Sequence, residues 1–176
     1  RGISAATVMG QLRSTVRAYA RLDLSPAQTI KLLDRVVRDI GEDEIVTCVF
    51  GIYDPAQRSL TYANAGHPPP LLVGADGRVT RLSGPTGPPL GSGAPSTSED
   101  NIELPDASML ALYTDGLVER RGQDIDDGID MLARALALVP GSFIELPENI
   151  VTTLRPPGQD DDDIALLLVR PIPSDP

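Results

Sequence analysis

The sequence predicts an α+β fold in which two stacked antiparallel β-sheets are flanked by helices, an α-β-β-α sandwich. Three observations carry this expectation. Apolar residues recur at helical spacing in the first 40 residues and again between residues 127 and 154. Between those stretches lie short runs of alternating apolar and β-branched residues, separated by Gly/Pro/Asp-rich turns. A last apolar run, "IALLLVRPI" (164–172), closes the chain as a further strand.

Residues 4–20 read as a helix, with Ala5, Val8, Met9, Leu12, Val16 and Tyr19 on one face and Arg13 and Arg17 off it. A second helix starts at "SPAQ": Ser25 can cap, Pro26 suits the first helical position, and Gln28 completes a capping box. Ile30, Leu33, Val37 and Ile40 form its apolar stripe, and Gly41 ends it. The period then changes. In "EIVTCVFGIYD" (44–54), Val46, Cys48, Phe50 and Ile52 share one face of a strand. "DPAQRS" turns the chain and "LTYANAG" (60–66) returns beside it. "PLLV" and "VTRL" flank a hairpin turn at Asp76-Gly77. Residues 83–98 are rich in Gly, Pro and Ser and read as loop.

"NIEL" and "ASMLALYT" follow as strands joined by Pro105-Asp106. Residues 127–139 read as a helix with Ile129, Leu132, Leu136 and Val139 inward, stopped at Pro140-Gly141, and a further helical stretch covers about 142–154. "RPPGQDDDD" is a loop, and the closing strand is apolar enough to be buried on both faces. The spans 1–171 and 172–176 are expected to be one domain and a tail or linker.

Composition narrows the function. The 176 residues carry a formal net charge of −10, which argues against binding a nucleic-acid backbone or inserting into an anionic membrane. No apolar run reaches the ~20 residues that span a bilayer, and a cytoplasmic setting is expected. One cysteine, Cys48, excludes an internal disulfide framework. With a single histidine, His67, any metal must be held mainly by oxygen, which suits Mg²⁺ or Mn²⁺. Position 54 is Asp, so Cys48 lacks the Arg six residues on that a cysteine-dependent phosphatase needs. The only lysine, Lys31, lies in a helix, so there is no P-loop.

Two acids stand out. Asp115 follows the strand "MLALYT" and Asp162 precedes "IALLLV". If those strands are antiparallel neighbours, both carboxylates fall at one end of one sheet, where they repel unless a cation sits between them. Gly116 would let the backbone turn sharply beside the carboxylate. The plainer readings are that Thr-Asp-Gly is a turn, "DDDD" a solvated loop, His67 a structural turn residue, and Cys48 a core residue.

"RGISAATVMGQLRSTVRAYA", "TCVFGIYDPAQRSLTYANAGHPPPLLV", "GPPLG", "LALYTDGLVERR" with "DIDDGI", and "DDDDIALLLVR" occur in this order. Together they resemble the bacterial metal-dependent Ser/Thr phosphatases of the SpoIIE/RsbU type, in the protein phosphatase 2C-like (PPM) superfamily. The resemblance covers nearly the whole chain. It implies two Mn²⁺ or Mg²⁺ ions held mainly by Asp, with Asp115 matching the ligand of the "YTDG" motif and Asp162 matching the first Asp of the pair that opens the last strand. Asp163 is then a neighbour, and His67 matches the "AGH" histidine, with a supporting role.

The implied reaction is attack on phosphorus by a water shared between two metals, without a phospho-enzyme. The implied substrate is phosphoserine or phosphothreonine on an anti-anti-sigma factor, and flanking sensor or kinase domains are a family feature. In the family, "RGISAA" follows a strand ending in Gly-Asp-Val-x-Gly, whose Asp bridges both ions. The sequence begins at Arg1, behind that motif, so these residues alone are expected to lack N-terminal strands and to bind Mn²⁺ weakly. The competing expectation is a non-catalytic phosphatase-like module that binds a partner protein.

Overall fold

The computed structural model describes residues 3–41, 44–84, 86–93, 98–138, 142–155 and 163–172, with the side chains of the first helix described from residue 6. The chain folds as two compact units, Arg1–His67 with Gly84–Glu103, and Pro68–Ser83 with Leu104–Pro176.

In the first unit, α1 (Ile3–Tyr19) and α2 (Pro26–Ile40) lie against a sheet built from β1 (Cys48–Asp54), β2 (Ser59–Ala65), β5 (Thr86–Gly87) and β6 (Asp100–Glu103). The predicted cap of α2 is present: Ser25 Oγ accepts from the Gln28 N–H, and the Gln28 side chain accepts from the Ser25 N–H at 2.9 Å. Gly41 ends the helix in an extended conformation. Val8 and Leu12 of α1 meet Ile30, Leu33 and Val37 of α2 and Ala63 and Ala65 of β2 in one buried cluster. Met9, expected on the apolar face, is 57% exposed. It lies beside Val8 in sequence and so points off the narrow stripe that α2 covers.

β1 and β2 form the expected antiparallel hairpin, in register from Cys48↔Ala65 to Asp54↔Ser59. The expected face of β1 is only half covered: Cys48 and Phe50 pack on the cluster, while Ile52, near the turn, is exposed. Two details depart from the sequence reading. The stretch 83–98, read as loop, contains β5, whose two residues pair with β2 in parallel. Val46 stands outside β1 and bridges Leu90 instead.

In the second unit, β3 (Leu71–Val73), β4 (Val79–Arg81), β7 (Met109–Tyr113) and β8 (Leu166–Val169) form an antiparallel sheet in the order β4-β3-β7-β8. The Asp76-Gly77 turn closes the β3–β4 hairpin: the Gly77 N–H donates to Gly74 O at 2.9 Å, and Asp76 Oδ1 accepts from the Arg78 N–H. Three helices lie between β7 and β8 in the chain, α3 (Asp115–Val118), α4 (Ile125–Leu138) and α5 (Leu146–Leu154). Leu71, Met109, Ala111 and Leu117 pack with Ile129, Leu132 and Leu136 of α4 and Ile150 of α5. Val139, Pro140 and Gly141, the expected end of α4, lie outside the described residues.

β7 is central, as its apolar run predicts, but β8 is an edge strand among the described residues and not a strand buried on both faces. Leu166 and Leu168 pack on the core; Leu167 and Val169 are 58% and 42% exposed. A continuous apolar run cannot tell which of its faces a neighbour covers.

Candidate metal-binding strand ends

β7 and β8 are antiparallel neighbours, with Tyr113 opposite Leu166 at the end of the ladder. The C-terminal end of β7 therefore stands beside the N-terminal end of β8, the arrangement on which the sequence argument for paired acids depended. Past the ladder, the Thr114 N–H donates to Ala165 O at 3.0 Å. The Thr114 hydroxyl accepts from the Ala165 N–H at 2.8 Å and donates to Asp163 O at 3.2 Å.

Asp115 is the first residue of α3 and is exposed. Its Oδ1 accepts from the Gly116 N–H at 2.9 Å, which turns the carboxylate toward its own backbone. Gly116 was expected to permit a sharp turn. It is instead a buried residue in a one-turn helix, and it is not among the glycines with positive φ. The glycine that the local packing requires is Gly128, in "DIDDGI": a Cβ there would lie 1.9 Å from Val118 O, where the exit of α3 meets α4.

Arg155, buried at the end of α5, donates through Nη2 to Gly116 O and Glu119 O, and so holds the α3 turn from its far side. Arg120 donates to Leu154 O at 2.5 Å and ties the same turn to α5. Inside the sheet, burial pushes the Tyr113 phenol well above its ordinary value, and its O–H donates to Pro69 O at 2.8 Å.

The structure thus brings together Asp115, Gly116 and Asp163, which is exposed. Asp162 lies outside the described residues. His67 belongs to the first unit. Its N–H donates to Asn64 Oδ1 at 2.8 Å, Asn64 Nδ2 donates to its carbonyl at 2.9 Å, and its Nδ1 lies 3.1 Å from the Thr47 hydroxyl. Gly66 in that turn has φ +69°, and a Cβ there would meet Pro89 at 2.6 Å. Sequence reasoning missed Thr114, Arg155, Gly128 and Asn64. Thr114 and Asn64 lay inside the quoted motifs as polar residues at strand ends, which is a usable signal. For Arg155 there was none, because its partners are main-chain carbonyls some 36 and 39 positions away.

The donors at these strand ends are carboxylate oxygens, whose hardness fits Mg²⁺ or Mn²⁺. Among the described residues no three His, Cys, Asp or Glu side chains converge as a ready metal cluster. The described acids thus fit a hard divalent ion as part of a ligand set, not as the whole of one.

The mixed helix-and-sheet fold with two sheets is that of protein phosphatase 2C-type domains. The family described as Stage II sporulation protein E (SpoIIE) matches residues 1–171, and the chain belongs to it, as a phosphatase domain of the SpoIIE/RsbU type. It is 28% identical over 124 residues to phosphoserine phosphatase RsbP of Bacillus subtilis, a match covering 67% of this chain and 30% of that protein. Among solved structures, the RsbU and RsbW domains of a Mycobacterium tuberculosis protein superpose with a TM-score of 0.84 at 28% identity, over 99% of this chain and 50% of that one. RsbX in complex with magnesium superposes with a TM-score of 0.72 at 17% identity, over 96% of this chain and 74% of that one, a likeness of fold. The chain spans well under two thirds of the length of the curated relatives it matches, 30% in the case of RsbP. No helix among the described residues is long and apolar enough to cross a membrane.

Proposed function

We propose that residues 1–171 form a phosphatase domain, with 172–176 as a tail or linker, that hydrolyses phosphoserine or phosphothreonine on a regulatory protein of the anti-anti-sigma type. The observation that carries this reading is the antiparallel pairing of β7 and β8, which sets Asp115 beside the segment that begins at Asp163. Family membership supports the phosphatase class, and the name phosphoserine phosphatase borne by RsbP supports the substrate class.

Asp115 and Asp162 would hold Mn²⁺ or Mg²⁺, two ions in the complete site. Bound there, the ions would supply a lowered water pKa and neutralise phosphoryl charge. The chain's own residues do the positioning. The Gly116 N–H orients the Asp115 carboxylate, Arg155 fixes the turn behind it, and Asp163 supports the site. A cytoplasmic setting and flanking sensor or kinase domains fit a signalling role.

The test is hydrolysis of phosphoserine and phosphothreonine peptides by the complete protein with Mn²⁺, Mg²⁺ or chelator. Asp115→Asn keeps volume and removes charge, so it should cut turnover about a hundredfold or more, since a catalytic metal contributes several kcal/mol. Wild-type turnover in that variant rejects the assignment. The alternative is a partner-binding module without turnover. It predicts partner binding with no metal-dependent hydrolysis.

A further inference from the structure

We propose that Thr114 is the positioning residue for Asp115: its hydroxyl latches the end of β7 onto residues 163–165 and so fixes where the acid-bearing strand ends stand relative to each other. This rests on the reading of Asp115 as a metal ligand.

The need for a latch follows from how β7 ends. An antiparallel ladder would continue past Tyr113↔Leu166 by exchanging two main-chain bonds between Thr114 and Ala165. One of them forms, Thr114 N–H to Ala165 O. The other does not form: the Thr114 carbonyl turns to the Leu117 N–H as α3 begins, at 3.0 Å. Opening the α3 turn takes that carbonyl out of the ladder. The Ala165 N–H would lose its partner, and the Thr114 hydroxyl takes the carbonyl's place at 2.8 Å.

A hydroxyl can accept and donate at once, and this one spends its proton on Asp163 O, adding a contact that the ladder would not have made. The residue that follows the latch is Asp115, and the backbone it grips belongs to Asp163 and Ala165. That oxygen therefore adds two bonds to the one main-chain bond that joins the two acidic ends beyond the ladder. Arg155 anchors the α3 turn separately, through Gly116 O and Glu119 O, so loss of the latch should leave the turn folded and move it relative to β8.

The test compares wild type, Thr114→Val and Thr114→Ser in the complete protein. Val keeps the branched shape and cannot hydrogen-bond; Ser keeps the hydroxyl. Mn²⁺ affinity is read by electron paramagnetic resonance of the free ion, beside circular dichroism and turnover as a function of Mn²⁺. Val should weaken Mn²⁺ binding about tenfold, the scale of losses when a ligand's supporting contacts are removed. Turnover at limiting Mn²⁺ should fall with the affinity, and Ser should restore both. Unchanged affinity in the Val variant while wild type binds overturns the latch alone. So does failure of Ser to restore it, or a Val variant that does not fold, since the hydroxyl would then serve the fold and not the site. A wild-type protein that takes up no Mn²⁺ overturns the metal reading and the latch with it.

Discussion

Asn64 illustrates how much of a motif can be spent on the backbone. Its amide holds both the N–H and the carbonyl of His67, three residues on, and Gly66 between them takes the left-handed conformation that the turn needs. The pattern "NAGH" thus has a structural reason before any chemistry is assigned to the imidazole, which here faces the Thr47 hydroxyl. Cys48 is another residue with a quiet role. It packs against the first unit's core from β1, and burial pushes its thiol from about 9 up to about 11. The thiolate is the reactive species, so folded protein at pH 7.5 should resist iodoacetamide, and label should appear only with unfolding. Because the folded protein holds this proton more tightly than the unfolded chain, the stabilisation is complete below pH 9 and drains away as pH rises toward 11. Cys48→Ala should cost roughly 1–2 kcal/mol in chemical denaturation through lost burial, with turnover intact. A folded Cys48→Ala protein without activity would reopen a thiol mechanism.

At the scale of elements, legibility followed local chemistry. α2 could be read to the residue at its start because Ser25, Pro26 and Gln28 act on their own neighbours. The Asp76-Gly77 hairpin was equally local. The pairing of β7 with β8 could be posed only as a condition, since no residue in either strand names its partner. The exposed face of β8, the parallel β5 and the one-turn α3 all depend on distant covering or pairing, and sequence period is blind to that. The candidate site divides the same way: Asp115 was visible as an acid after a buried strand, whereas Arg155 reached it through the fold. Gly128 makes the point testable. Its missing side chain lets α4 approach the end of α3, and the Val118 carbonyl fills the space that a Cβ would need. Gly128→Ala should therefore destabilise by roughly 1–3 kcal/mol despite alanine's better helix propensity, because overpacking against backbone outweighs it. Ser25→Ala, which removes only a cap, should cost about 1 kcal/mol. If Gly128→Ala melts at or above the wild-type temperature, the close approach of α3 and α4 is misplaced.

For the whole molecule the governing quantity is charge. A net −10 disfavours the compact state through self-repulsion, and a divalent cation relieves that in two different ways. Any cation screens the surface; only a coordinated one binds the folded state through a defined site. In the complete protein, Mn²⁺ at about a hundred times its dissociation constant should add roughly 2.7 kcal/mol of stability by mass action. For a domain of this size that is a rise of roughly 5–10 °C in melting temperature, reversed by chelator. The controls separate the two causes. Sodium chloride at matched ionic strength should give a much smaller shift, and Asp115→Asn should abolish most of the Mn²⁺ response while leaving the response to salt. Calcium is the sharpest comparison, because it is as highly charged but larger and prefers more ligands than a small octahedral site provides. A calcium shift equal to that of Mn²⁺, or an Asp115→Asn protein that still responds fully, would mean that the metal acts on the general charge of the molecule and that the ends of β7 and β8 do not form its site.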